Sequence, residues 1–179
     1  GNWDVIKVYG YDEAKKRVFY QSAENSPLTR DIYYVNLKGK RKKVSTQQGT
    51  NNAEFSNNFK YFISTFNSSS IPPYITVKEA EGKIVRVLED NQAFIEMLKP
   101  YKLSEKQFFT ISSDEFKLPD SSIVELNAWK ILPPNFDENK EYPVLITIYG
   151  GPGSQEVTDS WGYFNDMWYQ MLAQNGFIV

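Results

Sequence analysis

The sequence predicts a mostly β protein whose C-terminal part is α/β, and three observations carry that prediction. Aromatics are dense, with 12 Tyr, 12 Phe and 4 Trp in 179 residues, and flat rings pack well across paired strands. Residues 17–46 fall on residues 60–89 when slid by 43 positions, without a gap. After residue 141 the pattern becomes apolar strand, amphipathic helix, apolar strand.

The repeat reads as two four-stranded units. Val18-Phe19-Tyr20 lands on Tyr61-Phe62-Ile63, Ile32 and Tyr34 on Ile75 and Val77, and Gly39-Lys40 on Gly82-Lys83. Self-similarity at about 40–45 residues with several strands per unit is the signature of propeller blades. The first unit takes strands at Trp3–Tyr11, Arg17–Ala23, Asp31–Leu37 and Lys42–Thr46. The second takes Ala53–Ser56, Lys60–Asn67, Tyr74–Glu79 and Ile84–Glu89. Residues 91–98 then predict a short helix with a polar start, stopped by Pro100.

Strands are expected at Gln107–Ile111 and Ile123–Leu132, with an acidic loop over Ser112–Ser122 between them. Pro133-Pro134-Asn135-Phe136-Asp137 makes a turn, because prolines remove ladder donors. Tyr142–Tyr149 is an apolar run of strand length, expected to be buried on both faces. A helix over Ser160–Gln174 presents Trp161, Phe164, Trp168, Met171 and Leu172 as its core face, and Asn175-Gly176 ends it. Phe177-Ile178-Val179 opens another strand, so that strand, helix and truncated strand read as an incomplete βαβ unit.

Composition excludes several chemistries. The chain has no His and no Cys, so it holds no Ser-His-Asp triad, Cys-His pair or disulfide, and a zinc site is not expected. Twenty basic against 22 acidic residues leave no electrostatic footprint for nucleic acid or an anionic membrane. No stretch approaches the ~20 apolar residues of a spanning helix, and the first residues carry no signal-peptide pattern. Lys38-Gly39-Lys40-Arg41-Lys42-Lys43, the one dense basic run, reads as a solvated hairpin.

The most chemically suggestive segment is Tyr149-Gly150-Gly151-Pro152-Gly153-Ser154-Gln155, behind the apolar run. By pattern alone, Tyr149 reads as a packing aromatic ending a core strand. The Gly-Gly-Pro-Gly turn lets backbone pass close to a ligand, but it lacks the lysine of a phosphate-binding P-loop. Asp114-Glu115 and Asp120 are paired carboxylates that nothing places in a pocket. Asn67-Ser68-Ser69 matches a glycosylation acceptor.

Four segments taken in order change the weight of these readings: Arg86-Val87-Leu88-Glu89-Asp90-Asn91, Lys130-Ile131-Leu132-Pro133-Pro134-Asn135-Phe136-Asp137, Lys140-Glu141-Tyr142-Pro143-Val144-Leu145 and Tyr149-Gly150-Gly151-Pro152-Gly153-Ser154-Gln155. Together they resemble the dipeptidyl peptidase IV branch of the prolyl oligopeptidase family of serine peptidases. That resemblance implies a β-propeller joined to an α/β-hydrolase domain, and release of N-terminal X-Pro or X-Ala dipeptides through an acyl-enzyme. It implies that the Tyr149 hydroxyl serves the oxyanion hole. The family's Gly-x-Ser-x-Gly elbow, Asp and His have no counterpart here, nor does its amine-binding Glu pair.

The resemblance therefore makes the chain a fragment, with propeller blades over 1–91 and the opening of the catalytic domain over 92–179. Its expected properties are inactivity alone, no cofactor and no metal. The intact enzyme is expected to act on peptides, to form a homodimer and to lie in a secreted, periplasmic or envelope-associated compartment. The alternative is a non-catalytic β-rich binding module.

Overall fold

The 43-residue repeat is visible in the backbone. In the computed structural model, which describes all residues except 118–122, 150 and 152 and the side chains of 114–116 and 163, a shift of 43 carries strand β3 (Asp31–Asn36) onto β7 (Tyr74–Glu79). Two antiparallel four-stranded sheets result. The first runs β1 (Val5–Asp12), β2 (Arg17–Ser22), β3, β4 (Arg41–Lys43); the second runs β5 (Thr50–Phe55), β6 (Tyr61–Asn67), β7, β8 (Ile84–Glu89). Gly39 and Gly82 occupy the same turn in each sheet, with φ of 77° and 97°, a backbone region that side chains disfavour. In the first of these turns Asn36 Oδ1 accepts from the N–H groups of Lys38 and Lys40. The basic run is thus a solvated hairpin, with Lys43 paired to Asp31 and Arg41 to Glu24.

The chain divides into two units, residues 1–97 with 158–161, and residues 98–157 with 162–179. In the first unit alternate residues of both sheets meet. Phe19, Ile32, Val44, Ala53, Phe62 and Ala80 form the buried centre, edged by Tyr9, Tyr34, Phe55 and Phe59. A polar seam accompanies it. Asp31 accepts from Ser45 Oγ at 2.7 Å, Gln21 donates to the Asn51 carbonyl, and the Asn51 amide donates to the carbonyls of Arg30 and Gln47. These bonds satisfy groups that would otherwise be costly to bury.

Arg17 is buried at one end of this core. Its guanidinium lies over the rings of Phe19 and Tyr34, and its Nε donates to Asp12 Oδ2 at 2.9 Å. Its Nη2 lies 3.0 Å from Glu81 Oε1, a charge contact outside hydrogen-bond geometry. Lys15 donates to the same carboxylate and, with Arg17, holds the Glu81 pKa below its ordinary value. A lowered folded-state pKa stabilises above the unfolded value, and that contribution is lost as pH falls through the folded one. Glu81→Gln should therefore lose less stability than wild type on acidification below about pH 5, as read by urea melts at stepped pH. Parallel acid profiles would count against the ion cluster.

The second unit holds a long hairpin, β9 (Lys106–Lys117) with β10 (Ile123–Ile131), and helix α2 (Tyr163–Gln174). Its core is Ile131, Ala173 and Val179, with Trp129, Leu145, Tyr169, Leu172 and Phe177 against it. In chain order, helix α1 (Gln92–Leu98) and a 3-10 turn containing Pro100 follow β8 and precede β9. Asp90 Oδ1 accepts from the Gln92 N–H, the polar start the sequence predicts.

Three expectations need correction here. Residues 112 and 113 are strand rather than loop, because Ser112 pairs with Glu125 and Ser113 with Val124. Among the described residues, 142–149 form one parallel bridge, Val144 with Ile178, rather than a continuous strand, and Ile148 is 88% exposed. The face expected of α2 is only partly inward: Leu172 packs against the core, and Trp161, ahead of the helix, is buried. Phe164 is 81% exposed, and Trp168 and Met171 point outward, whereas Asp166, Gln170 and Ala173 are buried. Lys106 Nζ donates to both Asp166 oxygens at 2.9 Å, and Gln170 exchanges hydrogen bonds with the Ser104 backbone. Specific polar partners decide which face turns inward.

Candidate functional site

Tyr149 is the one catalytic candidate from the sequence, and its surroundings follow from glycine. The tyrosine ring lies on Gly151: a methyl group there would come within 2.6 Å of Tyr149 Oη. Only a hydrogen fits under the ring. Gly153 takes φ of 77°, and Ser154 N–H donates to the Gly151 carbonyl, closing a turn. Gly150 and Pro152 lie outside the described residues.

Tyr149 itself is 62% exposed. It is therefore not the buried strand-end packing residue that pattern alone suggests. A phenolic O–H in that position can donate a hydrogen bond to developing negative charge. Among the described residues, no group of three His, Cys, Asp or Glu could hold a metal ion. Asp120 and the side chains of Asp114 and Glu115 lie outside the described residues. No described helix is long and apolar enough to cross a membrane.

Downstream of the turn lies a segment that the sequence did not reveal. Residues 158–161 join the first unit. Asp159 N–H donates to the Leu28 carbonyl at 2.8 Å, the Asp159 carbonyl accepts from Thr50 Oγ1 at 3.0 Å, and the Asp159 carboxylate accepts from Ser69 N–H at 2.8 Å. The buried Trp161 N–H donates to Asn67 Oδ1 at 2.9 Å, and the indole packs edge-on against Phe94. Asn67 is thus a buried acceptor rather than an open glycosylation site. Nothing in a polar Thr-Asp-Ser run marks such docking, because its partners lie 90 or more residues away in sequence. Asp159→Ala leaves the Ser69 amide without its partner and should cost about 1–3 kcal/mol. Urea unfolding of the chain checks this; a change within experimental error would show that the carboxylate carries little.

Comparison with known proteins places this architecture. Residues 1–73 match the family described as Dipeptidyl peptidase IV (DPP IV) N-terminal region. The crystal structure of Porphyromonas gingivalis dipeptidyl peptidase 4 superposes with a TM-score of 0.88 at 43% identity, covering 100% of this chain and 24% of that one. A probable dipeptidyl peptidase 4 of Trichophyton verrucosum is 34% identical over 90% of this chain and 21% of its own length. A probable dipeptidyl-aminopeptidase B of Botryotinia fuckeliana is 32% identical over 100% of this chain and 19% of its length. These matches support a place for the chain in the dipeptidyl peptidase IV family. The chain spans about a fifth of the length of these relatives.

Proposed function

We propose that this chain is part of a serine-type dipeptidyl peptidase that removes X-Pro or X-Ala dipeptides from peptide N-termini through an acyl-enzyme. The observation that carries this reading is the 43% identity to the P. gingivalis enzyme across the whole chain. Residues 1–91 then contribute propeller blades that restrict access to the active site, and residues 92–179 begin the α/β-hydrolase domain. The parallel bridge Val144–Ile178, with α2 between its two partners, supports an α/β sheet.

In this mechanism Tyr149 donates a hydrogen bond to the oxyanion of the tetrahedral intermediate, beside a backbone N–H next to the serine. Attack of the serine on the scissile carbonyl places negative charge on that oxygen, and a preorganised donor acts on it in the transition state more than in the substrate. The exposed Tyr149 ring, held on Gly151, suits that role. Serine, aspartate and histidine come from elsewhere in the full-length enzyme, which acts as a homodimer in a secreted, periplasmic or envelope compartment and uses no metal or cofactor.

The test compares two purified proteins on a Gly-Pro chromogenic substrate. The full-length protein is expected to release the dipeptide, and the 179-residue chain to show no turnover. An inactive full-length protein that is folded would overturn the reading. Turnover by the chain alone would overturn the assignment of its nucleophile and base to other parts of the enzyme.

A further inference from the structure

A cavity of about 550 Å³ opens in the first unit, lined by Lys7 and Tyr9 of β1, Glu54 and Phe55 of β5, and Asn57 and Phe59 of the next turn. Its floor is aromatic. The Tyr9 and Phe55 rings lie 5.4 Å apart and the Phe55 and Phe59 rings 5.3 Å apart. The backbone holds this floor in place. Phe59 adopts φ of 51°, unusual for a bulky residue, and its ring sits so close over Gly10 that a methyl group there would come within 2.6 Å.

Polar groups stand around the floor. Lys7 Nζ lies 5.3 Å from the centre of the Tyr9 ring. Tyr9 Oη accepts from the Ala53 N–H at 3.2 Å, and burial pushes its pKa up to about 12, so the phenol keeps a proton to donate. Lys7 and Glu54 are both exposed on the cavity wall, and among the described residues neither forms an ion pair, with each other or with any other side chain. One unpaired cation and one unpaired anion thus flank an aromatic floor. A ligand with a single charge would satisfy one of them and be indifferent to or repelled by the other.

We propose that this cavity binds a short zwitterionic peptide with a ring side chain: its carboxylate at Lys7, its ammonium at Glu54 and its ring on Phe55 and Phe59. The volume is within the usual range for small-ligand sites. The inference rests on this cavity alone and does not depend on the proposed peptidase activity, so either can fail without the other.

The experiment titrates the full chain with the dipeptide Ala-Phe, followed by backbone amide NMR shifts and calorimetry. N-acetyl-Ala-Phe and Ala-Phe amide serve as the singly charged probes. Saturable shifts are expected at Lys7, Tyr9, Glu54 and Phe59, with either cap weakening binding about tenfold. Lys7→Met should weaken Ala-Phe but leave Ala-Phe amide unchanged; Glu54→Gln should weaken Ala-Phe but leave the acetylated probe unchanged. Both substitutions alter exposed side chains, so the fold is retained. Absence of shifts at these residues with millimolar Ala-Phe, or equal affinity for free and capped dipeptides, would overturn the proposal.

Discussion

Tyr149→Phe in the full-length enzyme is expected to lower kcat about 10²–10³-fold while KM changes little. The substitution removes one oxygen and keeps the ring, so the packing on Gly151 survives. The proposed hydrogen bond forms to an oxyanion that develops in the transition state and the tetrahedral intermediate and is absent from the bound substrate. Its loss therefore appears in the chemical step rather than in substrate binding. Steady-state kinetics on a Gly-Pro substrate, with circular dichroism to establish folding, measure the effect. A kcat within a few-fold of wild type would remove Tyr149 from the oxyanion hole. A rise in KM at constant kcat would instead assign it to substrate binding.

Asp166→Ala is expected to destabilise the second unit by about 3–5 kcal/mol, because it leaves Lys106 buried without its counter-charge. Lys106 and Asp166 side chains are 8% and 10% exposed, and both carboxylate oxygens accept from Nζ. The Trp129 ring lies over the ammonium, its centre 4.9 Å away. Replacing both partners, Lys106→Met with Asp166→Leu, should recover most of the loss, since two apolar groups carry no desolvation penalty. Urea unfolding of the single and double variants decides the matter. A double variant as unstable as Asp166→Ala would show that packing, not an orphaned charge, sets the cost.

The repeat was legible in the sequence because two features recur together. Alternating apolar positions set which face of each strand is buried, and Gly39 and Gly82 sit where only a positive φ closes the turn. The start of α1 was legible for a similar local reason, since its cap lies two residues before Gln92. The inward face of α2 was legible only at Leu172. Its hydrophobic stripe is real, but Asp166 and Gln170 find partners in Lys106 and Ser104, 60 and 66 residues earlier. Residues 112 and 113 misled in the same way: Ser-Ser-Asp-Glu reads as a loop, and only the facing strand supplies a ladder. Tyr149 was legible as a candidate through its motif, whereas its exposure depends on how the turn folds around Gly151.

Residues 177–179 have a consequence for the order of folding. Val179 exchanges both backbone hydrogen bonds with Ile131, while Ile178 donates to the Pro143 carbonyl and accepts from the Leu145 N–H. This short segment is the middle rung between β10 and residues 143–145, although it is synthesised after both. During vectorial synthesis the hairpin and the apolar run must wait, unpaired with each other, until the helix has been made and the rung arrives. The pairing of residues 143–145 with the rest of the second unit therefore comes late, and until then this stretch is open to misdirected strand pairing.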